Sequence, residues 1–140
     1  SNIMLEMLES ETENEVYTSQ KLKTIKRWEA GIALDDFGTG YNSEYLFMKL
    51  SPDLIKIDRS IISGCDKDQG KVNIINNLIR MAKNKNAAVL AEGVETHGEL
   101  KRVIECGADY IQGYYITRPV FEPQPIKAEI IEDILSINEK

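Results

Sequence analysis

Short apolar runs alternate along the chain with longer stretches whose apolar residues recur at helical spacing. The alternation predicts strands separated by amphipathic helices. A first strand is expected over residues 3–8. A helix follows from about Glu13 to Ala30, where Val16, Leu22, Ile25 and Trp28 recur near a helical period and Gly31 stands as its stop. Residues 32–35 read as a second strand, 45–50 as a short helix broken by Pro52, and 54–57 as a third strand. Residues 72–84 predict a long helix that buries Ile75, Leu78, Ile79 and Ala82. Residues 87–91 form the fourth strand, and Thr96 is placed to cap a helix that stops at Gly107. A fifth strand over 108–112 and a last helix near 126–137 complete the pattern. Strands separated by helices imply a parallel sheet, because each parallel connection needs a long crossover. The expected fold class is α/β, with about five parallel strands.

Each strand carries a polar residue late in its apolar run or just after it: Glu6, Asp35 with Asp36, Lys56, Glu92 and Gln112. In a parallel sheet these positions share one end, where the following loops converge and sites are built. Neighbouring strands lie about 4.8 Å apart, so such side chains can face a common space. Four crowded carboxylates cannot all stay ionised without compensation. A hard divalent cation such as Mg²⁺ or Mn²⁺, which prefers oxygen ligands, would supply it. Asp35 and Asp36 leave the backbone in different directions, so Asp35 could bridge two ions while Asp36 holds one. Two ions about 3.5–4 Å apart suit an in-line displacement at phosphorus, with Lys56 on the attacking water or a phosphate oxygen.

Each residue also has a plainer reading. A carboxylate at a strand end commonly caps a helix or faces solvent. A lysine inside an apolar strand is as readily a buried ion-pair partner as a catalytic group. Tyr114 suits guanine stacking or rim packing, Arg118 a phosphate contact or a surface charge, and His97 a solvated helix start.

The 140 residues suffice for one core of roughly 100–150 residues. A hydrophobic share of 42% with 29% charged residues suits a globular chain. The net charge of −6 argues against a broad face for a nucleic-acid polymer, so an anionic ligand would need local cations or metal ions. No apolar run approaches the ~20 residues of a membrane span, and no membrane contact is expected from this segment. Cys65 and Cys106 lack metal-ligand spacing and read as free thiols in a reducing compartment. The expected location is therefore cytoplasmic, with any membrane anchor confined to segments upstream of this chain.

The run Asp35-Asp36-Phe37-Gly38-Thr39-Gly40-Tyr41 resembles the DDFGTGYSS signature of EAL domains, with Asn42 in place of the first serine. Residues 5–10 resemble the family's LE-x-TES strand, and residues 54–60 its LKIDRS element. Residues 91–96 match its AEGVET motif, and residues 110–114 with Arg118-Pro119 its QGY…RP ending. The five motifs stand in family order.

The resemblance implies a modified (β/α)8 barrel of TIM type that hydrolyses cyclic di-GMP to linear pGpG with Mg²⁺ or Mn²⁺. It implies metal ligation by Glu6, by Asp35 shared between both ions, and by Asp36. Lys56 would orient the attacking water, and Glu92 would belong to the second-metal and water network. Gln112 would line the same pocket, where Tyr114 and Arg118 are the further candidates for substrate contact on their residue chemistry. Glu9 resembles the glutamate that braces the loop after Asp36, a loop that couples metal binding to dimerisation in the family.

There are departures from the family pattern. No Glu-Ala-Leu motif precedes Glu6, and Leu8 replaces the usual threonine. The family's metal-binding glutamate and asparagine both precede the position of Glu6. Residues 1–140 are therefore expected to be the C-terminal portion of a single EAL domain, a partial barrel with Ser1-Asn2 as a tag remnant. This portion is expected to be inactive by itself and to associate as a homo-oligomer through exposed strand edges. The alternative is a degenerate, non-catalytic EAL domain that senses cyclic di-GMP or mediates protein contacts.

Overall fold

The computed structural model describes residues 3–8, 15–39 and 43–138. The chain runs β1 (Met4–Leu8), α1 (Glu15–Trp28), β2 (Gly31–Phe37), α2 (Ser43–Leu50), β3 (Leu54–Ile57) and α3 (Arg59–Ile62). It continues with α4 (Gln69–Lys83), β4 (Ala88–Ala91), α5 (His97–Cys106), β5 (Tyr110–Ile111) and α6 (Ala128–Asn138). The five strands pair in sequence order, every neighbour parallel. The expected α/β class is thus observed.

That order has a consequence for shape. Parallel crossovers are right-handed, so a chain adding each strand on the same side lays its connecting helices on one face. The strands alternate accordingly. Leu5, Met7, Ile32, Leu34, Ile55, Ile57, Val89 and Ala91 join the core that also holds Ile75, Ile79, Leu100 and Val103 from the helices. Glu6, Ala33, Asp35, Lys56 and Leu90 occupy the intervening positions and so point to the other, helix-free face. This is the plan of a barrel wall, whose second face would line the barrel interior.

The helix ends differ from expectation in instructive ways. Gly31 does not stop α1. Glu29 takes the left-handed conformation (φ 53°), and Gly31 opens β2. Trp28 lies 59% exposed instead of on the buried face. The short α3 was not foreseen; Asp58 caps it by accepting from the Ser60 amide at 2.9 Å. Asp68 caps α4 in the same manner. The β4–α5 unit follows its sequence closely. Thr96 accepts from the Glu99 amide, and the Glu99 carboxylate accepts from the Thr96 amide, a complete capping box. Gly107 ends α5 at φ 91°, where a side chain would be strained. Cys65 and Cys106 are free, as expected, with Cys65 fully buried. No described helix is long and apolar enough to cross a membrane.

Candidate active site

Lys56 sits on β3 between Ile55 and Ile57, both buried in the core. Its side chain therefore leaves on the helix-free face, where only 9% of the residue reaches solvent. There its ammonium meets three carboxylates: Glu6 from β1 at 3.1 Å, Asp35 from β2 at 3.0 Å and Glu92, just past β4, at 3.0 Å. An ammonium has three N–H donors, and three acids surround it. Burial alone would pull the lysine pKa down. The hydrogen bonds to Asp35, Glu92 and Glu6 outweigh burial and hold it well above its ordinary value. Lys56 is thus an ion-pair partner, as the plainer reading allowed, and it lies at the centre of the acid cluster.

The backbone of β2 aims Asp35 at this centre. Leu34 pairs with Ile55 and Phe37 with Ile57, so three steps on β2 oppose two on β3. The extra residue is a bulge at Asp35-Asp36. It lets Asp35 face Lys56 while Phe37 returns to the core side, fully buried against Phe47. Asp36 adopts φ 54° within the bulge, and its amide donates to Asp35 Oδ1 at 3.0 Å. That bond steadies the carboxylate that Lys56 also holds. Thr39 closes the turn by donating its hydroxyl to the Asp36 carbonyl at 2.9 Å.

Glu92 and Gln112 are placed by their strands in the same way. Ala91 pairs with Ile111, and each polar residue is the next one along. The Glu92 amide donates to the Ile57 carbonyl, and the Gln112 amide to that of Ala91. Gln112 is exposed. Tyr114 and Arg118 stack on one another, with the guanidinium carbon 4.7 Å from the ring centre. No described hydrogen bond or ion pair joins them to the Lys56 cluster. Glu9 lies outside the described residues. His97, expected in solvent, is about half exposed but partnered. Its Nδ1 lies 3.3 Å from the Tyr115 hydroxyl, which donates to Asp133 of α6 at 2.7 Å.

Other acids have local duties that separate them from the cluster. Asp53 accepts from the Ile32 amide and Asp109 from the Val89 amide, so each ties a loop to the start of a strand. Sequence reasoning did not single out Glu99. Its Thr96-x-x-Glu99 spacing was the available signal.

The donors of the Lys56 cluster are carboxylate oxygens drawn from three strand ends, the chemistry a hard divalent ion takes. Among the described residues no group of three His, Cys, Asp or Glu side chains is arranged to hold an ion by itself. The donor type fits a hard divalent ion, while in this arrangement the three carboxylates converge on the Lys56 ammonium.

The family model of the EAL domain matches residues 1–119. This chain belongs to the EAL-domain family. Its sequence is 37% identical over 102 residues to the cyclic di-GMP phosphodiesterase TpdA of Vibrio parahaemolyticus, covering 71% of this chain and 18% of that protein. It is 38% identical over 89 residues to the cyclic di-GMP phosphodiesterase PdeL of Escherichia coli, covering 63% of this chain and 24% of PdeL. The chain thus spans about a fifth of the length of these curated relatives. Among solved structures, a standalone EAL protein from Vibrio cholerae bound to c-di-GMP superposes with a TM-score of 0.82 at 32% identity. That match covers 93% of this EAL chain and 56% of the other. The manganese/cy-diGMP complex of Klebsiella pneumoniae BlrP1 superposes at 0.79 with 29% identity, covering 83% of this chain and 30% of that one.

Proposed function

We propose that the complete EAL domain containing these residues hydrolyses cyclic di-GMP to linear pGpG in bacterial second-messenger signalling. The observation that carries this reading is one buried ammonium held by three carboxylates from separate strand ends, all at family motif positions. Glu6, Asp35 and Asp36 would hold Mg²⁺ or Mn²⁺, as the oxygen donor set and the manganese complex of a relative support. Bound there, the ions would acidify a water and neutralise charge at the scissile phosphate.

The chain's own residues do the rest. Lys56 exchanges its bond to the 60% exposed Glu6 for one to the attacking water, which it orients, and its raised pKa keeps it cationic at neutral pH. Glu92 aligns Lys56 from the far side and accepts from the same water network. Gln112, Tyr114 and Arg118 line the substrate side, where the exposed Tyr114 ring offers a face to a guanine and Arg118 a charge to a phosphate. Glu9, by the family resemblance, would brace the loop after Asp36.

We further infer that residues 1–140 are the C-terminal portion of a single EAL domain. The family pattern that the sequence resembles has two metal ligands before the position of Glu6, and on that ground this portion alone is inactive. The complete protein acts in the cytoplasm, and the portion by itself associates with further copies through its strand edges. The deciding experiment is hydrolysis of cyclic di-GMP by the complete protein with Mn²⁺, beside an Asp35→Asn variant. The wild type is expected to release pGpG and the variant to lose nearly all activity. Equal rates in both would refute the role given to Asp35.

A further inference from the structure

Among the described residues two charged side chains are buried: Lys56, at the centre of the acid cluster, and Glu99, 5% exposed on α5. Glu99 does more than complete a helix cap. Its Oε2 accepts from the amides of Glu95 and Thr96, at 2.9 and 3.0 Å. Its Oε1 accepts from the amide of Gly64, 35 residues earlier, at 2.7 Å. One carboxylate therefore joins two loops. The first follows Lys56 through α3, and the second follows Glu92 into α5.

Two close approaches show that these loops are seated on each other. A side chain at Gly93 would meet the Arg59 Cγ at 2.4 Å, and Gly93 itself takes φ 69°. A side chain at Gly98 would meet Asp66 Oδ2 at 2.5 Å. Arg59 also pairs with Glu95 at 2.9 Å, but its side chain is 60% exposed, so that bond is worth little. The buried, triply bonded Glu99 is the stronger tie.

We propose that Glu99 is a positioning residue, which sets the separation of Lys56 and Glu92 by locking together the loops that follow them. The inference rests on the phosphodiesterase reading of the site. A glutamine at 99 has one acceptor oxygen. It can serve the Glu95 and Thr96 amides, but it then turns its NH₂ toward the Gly64 N–H, and the cross-loop bond is lost while the cap survives.

In the complete protein with Mn²⁺ and cyclic di-GMP, Glu99→Gln is expected to lower kcat by about tenfold with KM held within about twofold. Thr96→Val, which weakens the cap alone, is expected to lower Tm and leave kcat unchanged. With diamagnetic Mg²⁺ in place of Mn²⁺, the ammonium resonance of Lys56 in ¹H–¹⁵N spectra should broaden in Glu99→Gln and persist in Thr96→Val. An unchanged kcat and an unchanged Lys56 signal in Glu99→Gln would overturn the proposal. So would the same pattern of effects in both variants, which would mark Glu99 as a cap only. If the wild type fails to hydrolyse cyclic di-GMP, the functional reading falls, and the Lys56 signal alone decides the positioning role. Should Glu99→Gln fail to fold, Glu99→Asp, which keeps the charge but shortens the reach, is judged by the same measurements.

Discussion

Lys56 concentrates the chemistry of this chain in one atom. Its ammonium balances acids from three strands, so removing it leaves Glu6, Asp35 and Glu92 facing each other. Breaking a buried ion pair from one side costs several kcal/mol, although Glu6, 60% exposed, can turn to water. Lys56→Met is therefore expected to destabilise the protein by about 3 kcal/mol in urea unfolding at neutral pH. A loss too small to measure would mean that the three acids relax without their cation. Because the folded pKa lies above the ordinary 10.5, the stability from these bonds is complete below that pH. It is lost as pH rises through the folded value. Cys65 makes a contrasting case. Burial, aided by the nearby charges of Glu99 and Asp66, pushes its thiol up to about 11. A thiol reagent at pH 8 should leave Cys65 unmodified until the protein unfolds, and rapid labelling of the native state would contradict its burial.

Elements are joined at the site end by backbone contacts as much as by side chains. Gly113 follows β5 and lies on the backbone of Val94, whose carbonyl would stand 2.1 Å from any Cβ there. The Gln112 carbonyl accepts from the Val94 amide, and the Val94 carbonyl from the Tyr115 amide. Gly113→Ala must force these segments apart, and overpacking of this kind costs about 1–3 kcal/mol. A drop in Tm should record it, and an unchanged Tm would mean that the contact gives way freely. For α5, the Glu99 carboxyl is raised by burial but lowered more by the Gly64, Glu95 and Thr96 amides, so its net pKa falls. Its contribution to stability is full above the ordinary 4.5 and is lost as pH falls through the lower folded value. The acid limb of unfolding should weaken in Glu99→Gln. Element by element, α5 was the most legible: Thr96, Glu99 and Gly107 are local signals for a start and a stop. The end of α1 was not, because Glu29 took the left-handed position that Gly31 had been expected to fill. Nor was the β2 bulge, since a period of two cannot announce an inserted residue.

At the scale of the molecule, the sheet has β1 and β5 at its two ends. Apolar residues lie exposed near both. Met4 opens β1 with Ile3 just before it and Trp28 at the end of α1, and Tyr110 belongs to β5, with Phe121, Ile131 and Leu135 exposed further along the chain. Unpaired edges beside apolar surface favour pairing with another chain. Residues 1–140 alone are expected to sediment as concentration-dependent oligomers. A single monomeric species at every concentration would contradict the association proposed above.

Local order in the amino acids determined the alternation of strands and helices, the acids and lysine at the strand ends, and the motifs that mark an EAL domain. The first two follow from periodicity and residue chemistry, which act over a few positions, and the motifs from their resemblance to a known family. Tertiary structure alone decided that Lys56 is the cation shared by three strands, that a bulge turns Asp35 toward it, and that Glu99 reaches Gly64 across 35 residues. Those bonds form between groups far apart along the chain, and only folding brings donor and acceptor within 3 Å of one another.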